Sequence, residues 1–476
     1  MPCHQNKSFR RWSIAFLAGI VGLLTITSAA ERKPNFVILL ADDLGYADLG
    51  CYGARQIRTP RLDQLAREGM RFTDFYAQPL CGPSRAAIMT GCYAVRAAQK
   101  NNAKELHPAL SSTEIILPQI LRRAGYRSAA LGKWDLAGHS QTNYSAELLP
   151  CNHGFDFFFG TPSSNDRHVN LLRGNELVEE QADLGLLSQR YTDEAIEFVR
   201  RHRDQPFLVY LCFTMPHTRL AASPRFFGWS PRGLYGDAVE ELDWNTGRLI
   251  DTVRDLGLER DTYVIFTSDN GPWIHPGGAW GRAAGGNAEP LRGGKASTWE
   301  GGVRVPCIMW APGRIPAGQS FQRVTSTMDL LPTLVALAGE FAPTDRIIDG
   351  HDLRGVLTHG DASANPRAQE YYYYFHRHLQ AVRSGRWKLV LPRPANPTWL
   401  QPFGVYLDAK DVVEITAPAL YDLSRDVGEQ HDIAAKNPSE VARLLDLAGR
   451  IRGDLGDYDR VGKNVRSEPG AIPRGP

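Results

Sequence analysis

Short apolar runs that end abruptly at polar residues recur along the chain. The four clearest are Phe36–Leu40, Ser128–Leu131, Phe207–Leu211 and Tyr263–Phe266. Continuous apolar runs of this length are typical of strands that are buried on both faces, as in a parallel sheet. Segments with helical spacing, such as the apolar positions from Val239 to Leu256, lie between the runs. This alternation predicts an α/β fold in which helices sandwich a large, mostly parallel sheet.

The ends of two predicted helices carry recognisable signals. Ser111 and Glu114 have the spacing of a capping box, which predicts a helix that starts there and runs to Arg123. Gly125 and Gly257 follow the two helical segments and predict where each one ends.

Polar residues whose side chains can bind a ligand or take part in catalysis follow all four apolar runs. In chain order they are Asp42 and Asp43, Lys133, His217, and Asp269 with Asn270. Because ligands of parallel sheets bind at the carboxyl ends of the strands, we expect these side chains to converge. The aspartates and the asparagine offer only oxygen ligands, which suit a hard cation, calcium before magnesium, and argue against zinc. A single Asp-Asp pair is usually a solvated turn, but two acidic pairs at two strand ends favour a metal site.

The composition of the chain changes after about residue 340. Residues 361–367 are typical of a connection, and strand-like segments follow at Tyr371–Phe375, Ala381–Val390 and Ala419–Leu423. A helix is predicted around residues 439–451. The pattern indicates a large domain over residues 31–365 and a smaller C-terminal α+β subdomain over residues 366–476, which contains an antiparallel sheet.

Residues 1–30 have the order of a secretory signal peptide. A basic start at Lys7, Arg10 and Arg11 precedes the apolar run Trp12–Ile26 and the small residues Ser28–Ala30. The apolar run is short for a membrane-spanning helix. We therefore expect a secreted or periplasmic protein with no stable membrane anchor after cleavage. Loss of the three basic residues changes the formal net charge from +2 to −1, so the charge indicates no nucleic-acid partner.

Six cysteines remain beyond Cys3, and none of them has C-x-x-C spacing. They are Cys51, Cys81, Cys92, Cys151, Cys212 and Cys307. The pattern is neither that of a zinc site nor that of a dense disulfide framework. If Cys81 is used for chemistry, an odd number remains, so at least one thiol is free or intermolecular.

The segment Cys81-Gly82-Pro83-Ser84-Arg85, continued by Thr90-Gly91, resembles the C-x-P-S-R signature of type I sulfatases, which belong to the alkaline phosphatase superfamily. The matching segments are spread along most of the chain in the family's order, at residues 35–45, 59–91, 235–270, 293–306 and 387–389. Within the family, the chain is similar to arylsulfatase A and N-acetylgalactosamine-6-sulfatase. The resemblance implies an alkaline-phosphatase-like fold and a maturation enzyme that oxidises Cys81 to formylglycine. It also implies one calcium ion, held by Asp42, Asp43, Asp269, Asn270 and the oxidised Cys81.

The residue types around Cys81 suit chemistry on an anion. Pro83 predicts the first turn of a helix, whose free N–H groups and positive dipole end attract a sulfate. The hydrate of formylglycine can attack with one hydroxyl and expel sulfate with the other, whereas a thiol would leave sulfate attached. Taken alone, Cys81 would be interpreted as a buried core thiol.

Four cationic or hydrogen-bonding residues complete the resemblance. They are Arg85, Lys133, His217 and Lys295. In the family, the counterparts of both lysines and of the histidine contact the sulfate, and the arginine supports the nucleophile. Cationic donors stabilise the charge that builds on the oxygens during sulfuryl transfer. The plain alternative is a solvated surface position for each lysine and a core position for the histidine.

One position departs from the family pattern. Where the family has Gly-Lys-Trp-His-Leu-Gly, this chain has Asp135 in place of the histidine, and His139 follows four residues later. The family's histidine helps to hold or deprotonate the hydroxyl of formylglycine. Our hypothesis is that Asp135 takes a base role or that His139 partly substitutes. The departure also admits a family member with low activity or an altered substrate.

Two further segments are candidate walls of a substrate pocket. One holds Trp273, His275, Trp280 and Arg282 in a glycine-rich loop, and the other holds Tyr371–Tyr374 with His376, Arg377 and His378. Ordinary strand packing explains the tyrosines equally well.

The leading function is hydrolysis of a sulfate ester on a carbohydrate or an aryl compound. The alternatives are a phosphate or phosphonate monoester hydrolase of the same superfamily and a non-catalytic glycan-binding relative.

Overall fold

The computed structural model describes residue 1 and residues 32–100, 109–166, 168–274, 285–359, 369–393 and 414–466. The predicted signal peptide and the connection at residues 361–367 lie outside the described residues. Every element below belongs to the compact unit Lys33–Pro476.

The strands are β1 (Asn35–Ala41), β2 (Met70–Tyr76), β3 (Ala98–Lys100), β4 (Ala109–Leu110), β5 (Arg127–Lys133), β6 (Phe157–Thr161), β7 (Leu171–Arg173), β8 (Glu176–Glu179), β9 (Phe207–Cys212), β10 (Thr262–Ser268), β11 (Arg304–Trp310), β12 (Gln319–Phe321), β13 (Thr325–Ser326), β14 (Glu370–Phe375), β15 (His378–Ser384), β16 (Trp387–Val390), β17 (Ala419–Asp422), β18 (Gly456–Asp457) and β19 (Arg460–Val461). The α-helices are α1 (Pro60–Glu68), α2 (Cys81–Thr90), α3 (Ala94–Ala97), α4 (Leu117–Arg123), α5 (Leu187–Arg201), α6 (Gly233–Asp255), α7 (Glu300–Val303), α8 (Leu330–Leu337), α9 (Arg354–His359) and α10 (Pro438–Leu455).

The main sheet has 11 strands, in the order β12-β2-β11-β10-β1-β9-β5-β6-β7-β8, with β13 also paired to β2. The five neighbours from β10 to β6 run parallel, whereas β11 is antiparallel to both of its neighbours. The four apolar runs of the sequence form β1, β5, β9 and β10, so this prediction is confirmed. Continuous apolar runs occur here because both faces of the sheet are covered.

Successive side chains of β1 enter two different cores. Phe36, Ile38 and Leu40 pack in one apolar cluster with residues of α2, α4, α8 and α9. Val37 and Leu39 pack in the other, with residues of α1, α5 and α6. Because strand side chains alternate between faces, this division places one helix layer on each side of the sheet. The predicted α/β sandwich is confirmed.

One predicted helix start is wrong. Helix α4 begins at Leu117, where the Gln119 side chain accepts a hydrogen bond of 2.8 Å from the backbone N–H of Ile116. Ser111 and Glu114 instead form a turn, and the Glu114 carboxylate is paired with Arg466 at 2.8 Å. The Glu114 side chain, which the capping box would have used, forms an ion pair with the distant Arg466. The long helix predicted to end near Gly257 is confirmed as α6.

A second sheet, β14-β15-β16-β17, is entirely antiparallel and packs against α10. The predicted segment Ala381–Val390 proves to be two strands, because the chain turns at Gly385, where φ is 60°. Glycine adopts this left-handed conformation without the steric cost of a side chain.

Two further features concern the described residues alone. None of their helices combines the length and the apolar character needed to cross a membrane. Their six cysteines, from Cys51 to Cys307, are all free thiols.

Candidate active site

The four predicted polar groups meet at one edge of the main sheet. The strands that precede them, β10, β1, β9 and β5, are consecutive and parallel, so their carboxyl ends lie side by side. The side chains concerned are all buried, namely Asp42, Asp43, Lys133, His217, Asp269 and Asn270. The convergence expected from the sequence is therefore present in the fold.

Cys81 is the first residue of α2, and its side chain lies among these groups. Its Sγ atom is 3.2 Å from Oδ1 of Asp42 and 3.2 Å from Nζ of Lys295. The helix begins here because Leu80 is extended and Pro83 occupies the first turn. Burial raises the pKa of the Cys81 thiol well above its usual value, which is the opposite of what a thiolate nucleophile needs.

Oxygen atoms suitable for a cation face one another beside Cys81. Oδ1 of Asp43 accepts hydrogen bonds from Asn270 at 2.7 Å and from Lys295, whose Nζ lies 2.6 Å away. Oδ2 of Asp43 and Oδ1 of Asn270 are buried and have no hydrogen-bond partner among the described residues. Leaving such atoms unpaired is costly, and a hard cation satisfies both of them. The oxygen set therefore fits calcium.

A sulfur and a nitrogen ligand lie close to the same oxygens. Potential ligand atoms of Asp42, Asp43, Cys81 and His217 all lie within 4.8 Å of one another. Asp269 joins this group through the backbone, since its Oδ1 accepts a hydrogen bond of 3.2 Å from the N–H of Asp43.

Three buried cations balance the three carboxylates of the site. Lys133 lies 2.6 Å from Asp42, and Arg85 donates to Asp269 at 2.8 Å and to the Lys133 carbonyl at 2.7 Å. Burial alone would raise the pKa of Asp42, but the charge of Lys133 and its neighbours holds it well below the usual value. Burial would likewise lower the pKa of Lys295, whereas the charge of Asp43 raises it. Both lysines are therefore protonated donors.

His217 is held at the edge of this group as a neutral imidazole. Its Nε2 atom lies 3.7 Å from Oδ2 of Asp43. Burial, with the charge of Lys295, lowers the pKa of His217 well below its usual value. The Asn165 side chain donates to the carbonyl of His217 at 3.2 Å and fixes the loop that carries it.

Asp135, the residue that departs from the family pattern, belongs to a row of side chains that contact one another. Asp135 is fully buried, with Oδ2 at 3.8 Å from Nζ of Lys133 and Oδ1 at 2.8 Å from Nδ1 of His139. On the other side of the His139 ring, the Nε2 atom is 3.2 Å from Oδ2 of Asp166.

Sequence reasoning missed Asn165 and Asp166. Both follow β6, the neighbour of β5 in the parallel part of the sheet. The signal was present, because the run Phe157–Phe159 ends in the polar stretch Ser163–Asp166, like the four runs that were recognised.

The structure describes the two predicted pocket walls to different extents. Trp273 is buried, and His275, Trp280 and Arg282 lie outside the described residues. The side chains of Tyr371, Tyr373 and Tyr374 are buried in the core of the C-terminal sheet. Their hydroxyls donate to the Ala77 carbonyl, the Glu300 carboxylate and the Gly456 carbonyl. Strand packing accounts for these three tyrosines.

Comparisons with known proteins agree with the geometry. The profile of the sulfatase family matches residues 34–340, and that of the C-terminal region of aryl-sulfatase matches residues 366–456. Steryl-sulfatase of Mus musculus is 34% identical, over 88% of this chain and 82% of the relative. N-acetylgalactosamine-6-sulfatase of Rattus norvegicus is 36% identical, over 86% of this chain and 83% of the relative.

Solved structures share the fold over a similar extent. One from the metabolism of glycosaminoglycans by Bacteroides thetaiotaomicron superposes with a TM-score of 0.77 at 26% identity, covering 88% of this chain and 99% of that one. Profile, relatives and fold thus agree on one family over nearly all of the chain after its first 33 residues. The chain belongs to the sulfatase family and is a hydrolase of sulfate esters.

Proposed function

We propose that the chain removes sulfate from sulfated carbohydrates, with formylglycine derived from Cys81 as nucleophile and one calcium ion in the site. The observation that carries the proposal is the position of Cys81, within 3.2 Å of both Asp42 and Lys295 at a helix N-terminus. Because burial raises the pKa of the Cys81 thiol, the encoded side chain is a poor nucleophile, and the proposed mechanism requires its conversion.

The proposed metal ligands are Asp42, Asp43, Asp269, Asn270 and the oxidised Cys81. The two oxygens without a hydrogen-bond partner among the described residues, on Asp43 and Asn270, support this set. A bound calcium ion supplies Lewis-acid polarisation of a sulfate oxygen. The hydrate of formylglycine supplies two hydroxyls, one to attack sulfur and one to release the sulfate.

The remaining residues bind and orient the anion. Lys133 and Lys295 donate hydrogen bonds to sulfate oxygens, where negative charge accumulates in the transition state. Neutral His217 donates a hydrogen bond to the ester side of the substrate. Arg85 positions the site, because it joins Asp269 to the end of β5 without exposure to solvent. Asp135 and His139 take the place of the family's histidine.

A carbohydrate substrate is supported by the names of some of the relatives, whereas another relative is a steryl-sulfatase. One is a sulfatase of N-acetylgalactosamine 6-sulfate, and one solved neighbour belongs to glycosaminoglycan metabolism. An aryl sulfate is the second substrate to test, since an activated leaving group reports on the same sulfur chemistry.

We infer the place of action and the organisation of the chain from its sequence. The basic, apolar and small residues over positions 1–30 support a signal peptide and a secreted or periplasmic protein. A formylglycine-generating enzyme is then the required partner in maturation. We further propose that residues 31–365 form the catalytic domain and residues 366–476 a C-terminal subdomain.

The test is sulfate release from a panel of sulfated glycans and one aryl sulfate. The protein is co-produced with a formylglycine-generating enzyme, and conversion of Cys81 is measured by peptide mass. We expect Cys81→Ala to abolish release, because no nucleophile remains. Cys151→Ala is the matched control, since Cys151 is a free thiol distant in sequence from the motif, and it should retain activity.

Other outcomes separate the alternatives. Faster turnover of a matched phosphate ester than of the sulfate ester would favour the phosphate or phosphonate monoester hydrolase. Binding of glycans without turnover by fully converted protein would favour the non-catalytic relative.

A further inference from the structure

We propose that Asp135, His139 and Asp166 work as one unit in which the His139 cation offsets the Asp135 carboxylate and Asp166 positions that cation. The inference rests on the proposed sulfatase function and explains how an acidic residue can replace a histidine beside the sulfate site. Asp166 then becomes a positioning residue for catalysis.

The contacts of the unit form a line from the interior towards solvent. Asp135 is fully buried, and its Oδ1 atom is 2.8 Å from Nδ1 of His139. Nε2 of the same ring is 3.2 Å from Asp166, whose side chain is 25% exposed. The imidazole therefore has a carboxylate at each nitrogen, an arrangement that fixes the ring plane and favours protonation of both nitrogens.

Charge compensation is needed because Asp135 lies beside an anion site. Its Oδ2 atom is 3.8 Å from Lys133, a proposed sulfate donor. A lone buried carboxylate there would repel sulfate and weaken the effect of that lysine. A protonated His139 offsets the charge of Asp135, and the second carboxylate on the ring, Asp166, lies on the more exposed side. Burial lowers the pKa of His139, but the charges and hydrogen bonds of Asp135 and Asp166 raise it to about 9.

Asp166 belongs to the active-site edge by its place in the fold. It follows β6, whose carboxyl end lies beside that of β5. Its neighbour Asn165 holds the backbone of His217, and the charge of Asp166 raises the pKa of His217 against the stronger effects of burial and of Lys295. Among the described residues, Asp135 in the loop after β5 and Asp166 in the loop after β6 lie within hydrogen-bond distance of the His139 ring.

The reaction gives Asp135 a task that an ionised carboxylate can perform. Hydrolysis of a sulfate monoester breaks the S–O bond to the alcohol and forms one to an oxygen derived from water. At neutral pH the products are an alcohol, a sulfate dianion and one proton. Asp135 accepts a proton as the nucleophilic hydroxyl is used, and His139 keeps Asp135 ionised between turnovers.

The first test compares Asp166→Asn with the wild type over pH 6–10. The two carboxylates raise the pKa of His139, so removal of one lets the ring lose its proton at lower pH. We expect the alkaline limb of kcat to move down by about one pH unit or more. KM should change less than kcat, because the proposal has Asp166 act through His139 and not on the substrate. Asp204→Asn, at a side chain that is 92% exposed, is the control and should leave the limb in place.

Nitrogen NMR of the His139 ring gives a reading that needs no turnover. In the wild type the ring should stay doubly protonated at pH 7.5, and in Asp166→Asn it should titrate at lower pH. An unchanged titration in Asp166→Asn would overturn the inference even if the enzyme is an active sulfatase. Failure of the proposed function itself would instead be seen as absent sulfate release by the converted wild type.

A double-mutant cycle tests whether His139 acts through Asp135. His139→Gln should lower kcat about tenfold or more in the wild type, and by much less in the Asp135→Asn background, where no charge needs compensation. Equal factors in the two backgrounds would show that His139 has a separate role and would overturn the unit.

Discussion

At the residue scale, Lys295 joins the proposed nucleophile to the proposed metal ligands. Its ammonium lies 3.2 Å from Sγ of Cys81 and 2.6 Å from Oδ1 of Asp43. A compact ammonium with three donors can hold both atoms and still face a sulfate, whereas the planar fork of arginine matches paired oxygens. The position therefore requires lysine for geometry as well as for charge.

Substitution of Lys295 by Met removes this donor and keeps much of the side-chain volume. We expect kcat/KM for the sulfate ester to fall by about 10²-fold to 10³-fold, the usual loss for one donor to a developing negative charge. Lys436→Met, at an exposed lysine, is the matched control. A fall of less than threefold, with conversion of Cys81 unchanged, would remove Lys295 from the anion site.

At the element scale, a buried ion cluster joins the C-terminal sheet to the segment that carries Lys295. The cluster consists of Glu300 at the start of α7, Lys388 in β16, and Glu429. Lys388 lies 3.0 Å from Glu300 and 2.7 Å from Glu429, and all three are buried. Burial would raise the pKa of Glu300, but the charges of Lys388 and neighbouring arginines lower it to about 2.

Removal of Lys388 leaves two carboxylates in a buried site without their shared cation. Lys388→Met should therefore reduce the free energy of unfolding by about 3–5 kcal/mol, as measured by urea unfolding at pH 7. The exposed Lys463→Met variant is the control and should change this free energy by less than about 0.5 kcal/mol. Equal stability of the two variants would contradict a structural role for the cluster.

At the scale of the whole molecule, the proposed calcium ligands come from three distant parts of the chain. They follow β1, begin α2 and follow β10. An unfolded chain cannot hold them together, so a cation that binds the native state stabilises the complete fold.

Chelation should therefore lower the melting temperature, and calcium should restore it. At a free calcium concentration one hundred times Kd, the expected stabilisation is about 2.7 kcal/mol. The measurement is thermal unfolding in EGTA, with and without added calcium, and with Asp269→Ala as the variant that should no longer respond. The same melting temperature for wild type in both conditions would contradict a resident calcium ion.

The sequence by itself determined the sandwich fold, the four central strands and the residues at their carboxyl ends. These features are local, because an apolar run and the polar residue after it are read from neighbouring positions. The parallel arrangement then brings the strand ends together, which is why Asp42, Lys133, His217 and Asp269 could be grouped before their contacts were known. The resemblance around Cys81 to the sulfatase signature then indicated which reaction these residues serve.

Only the tertiary structure decided the partners of these residues. The His139 ring meets Asp166 because β5 and β6 are neighbours, and Glu114 meets Arg466 across 352 residues. Such contacts depend on which strands pair and on which side chains pair with a buried charge. Neither can be inferred from the spacing of nearby residues. The same holds for the unpaired oxygens of Asp43 and Asn270, since only packing shows which buried atoms find a partner.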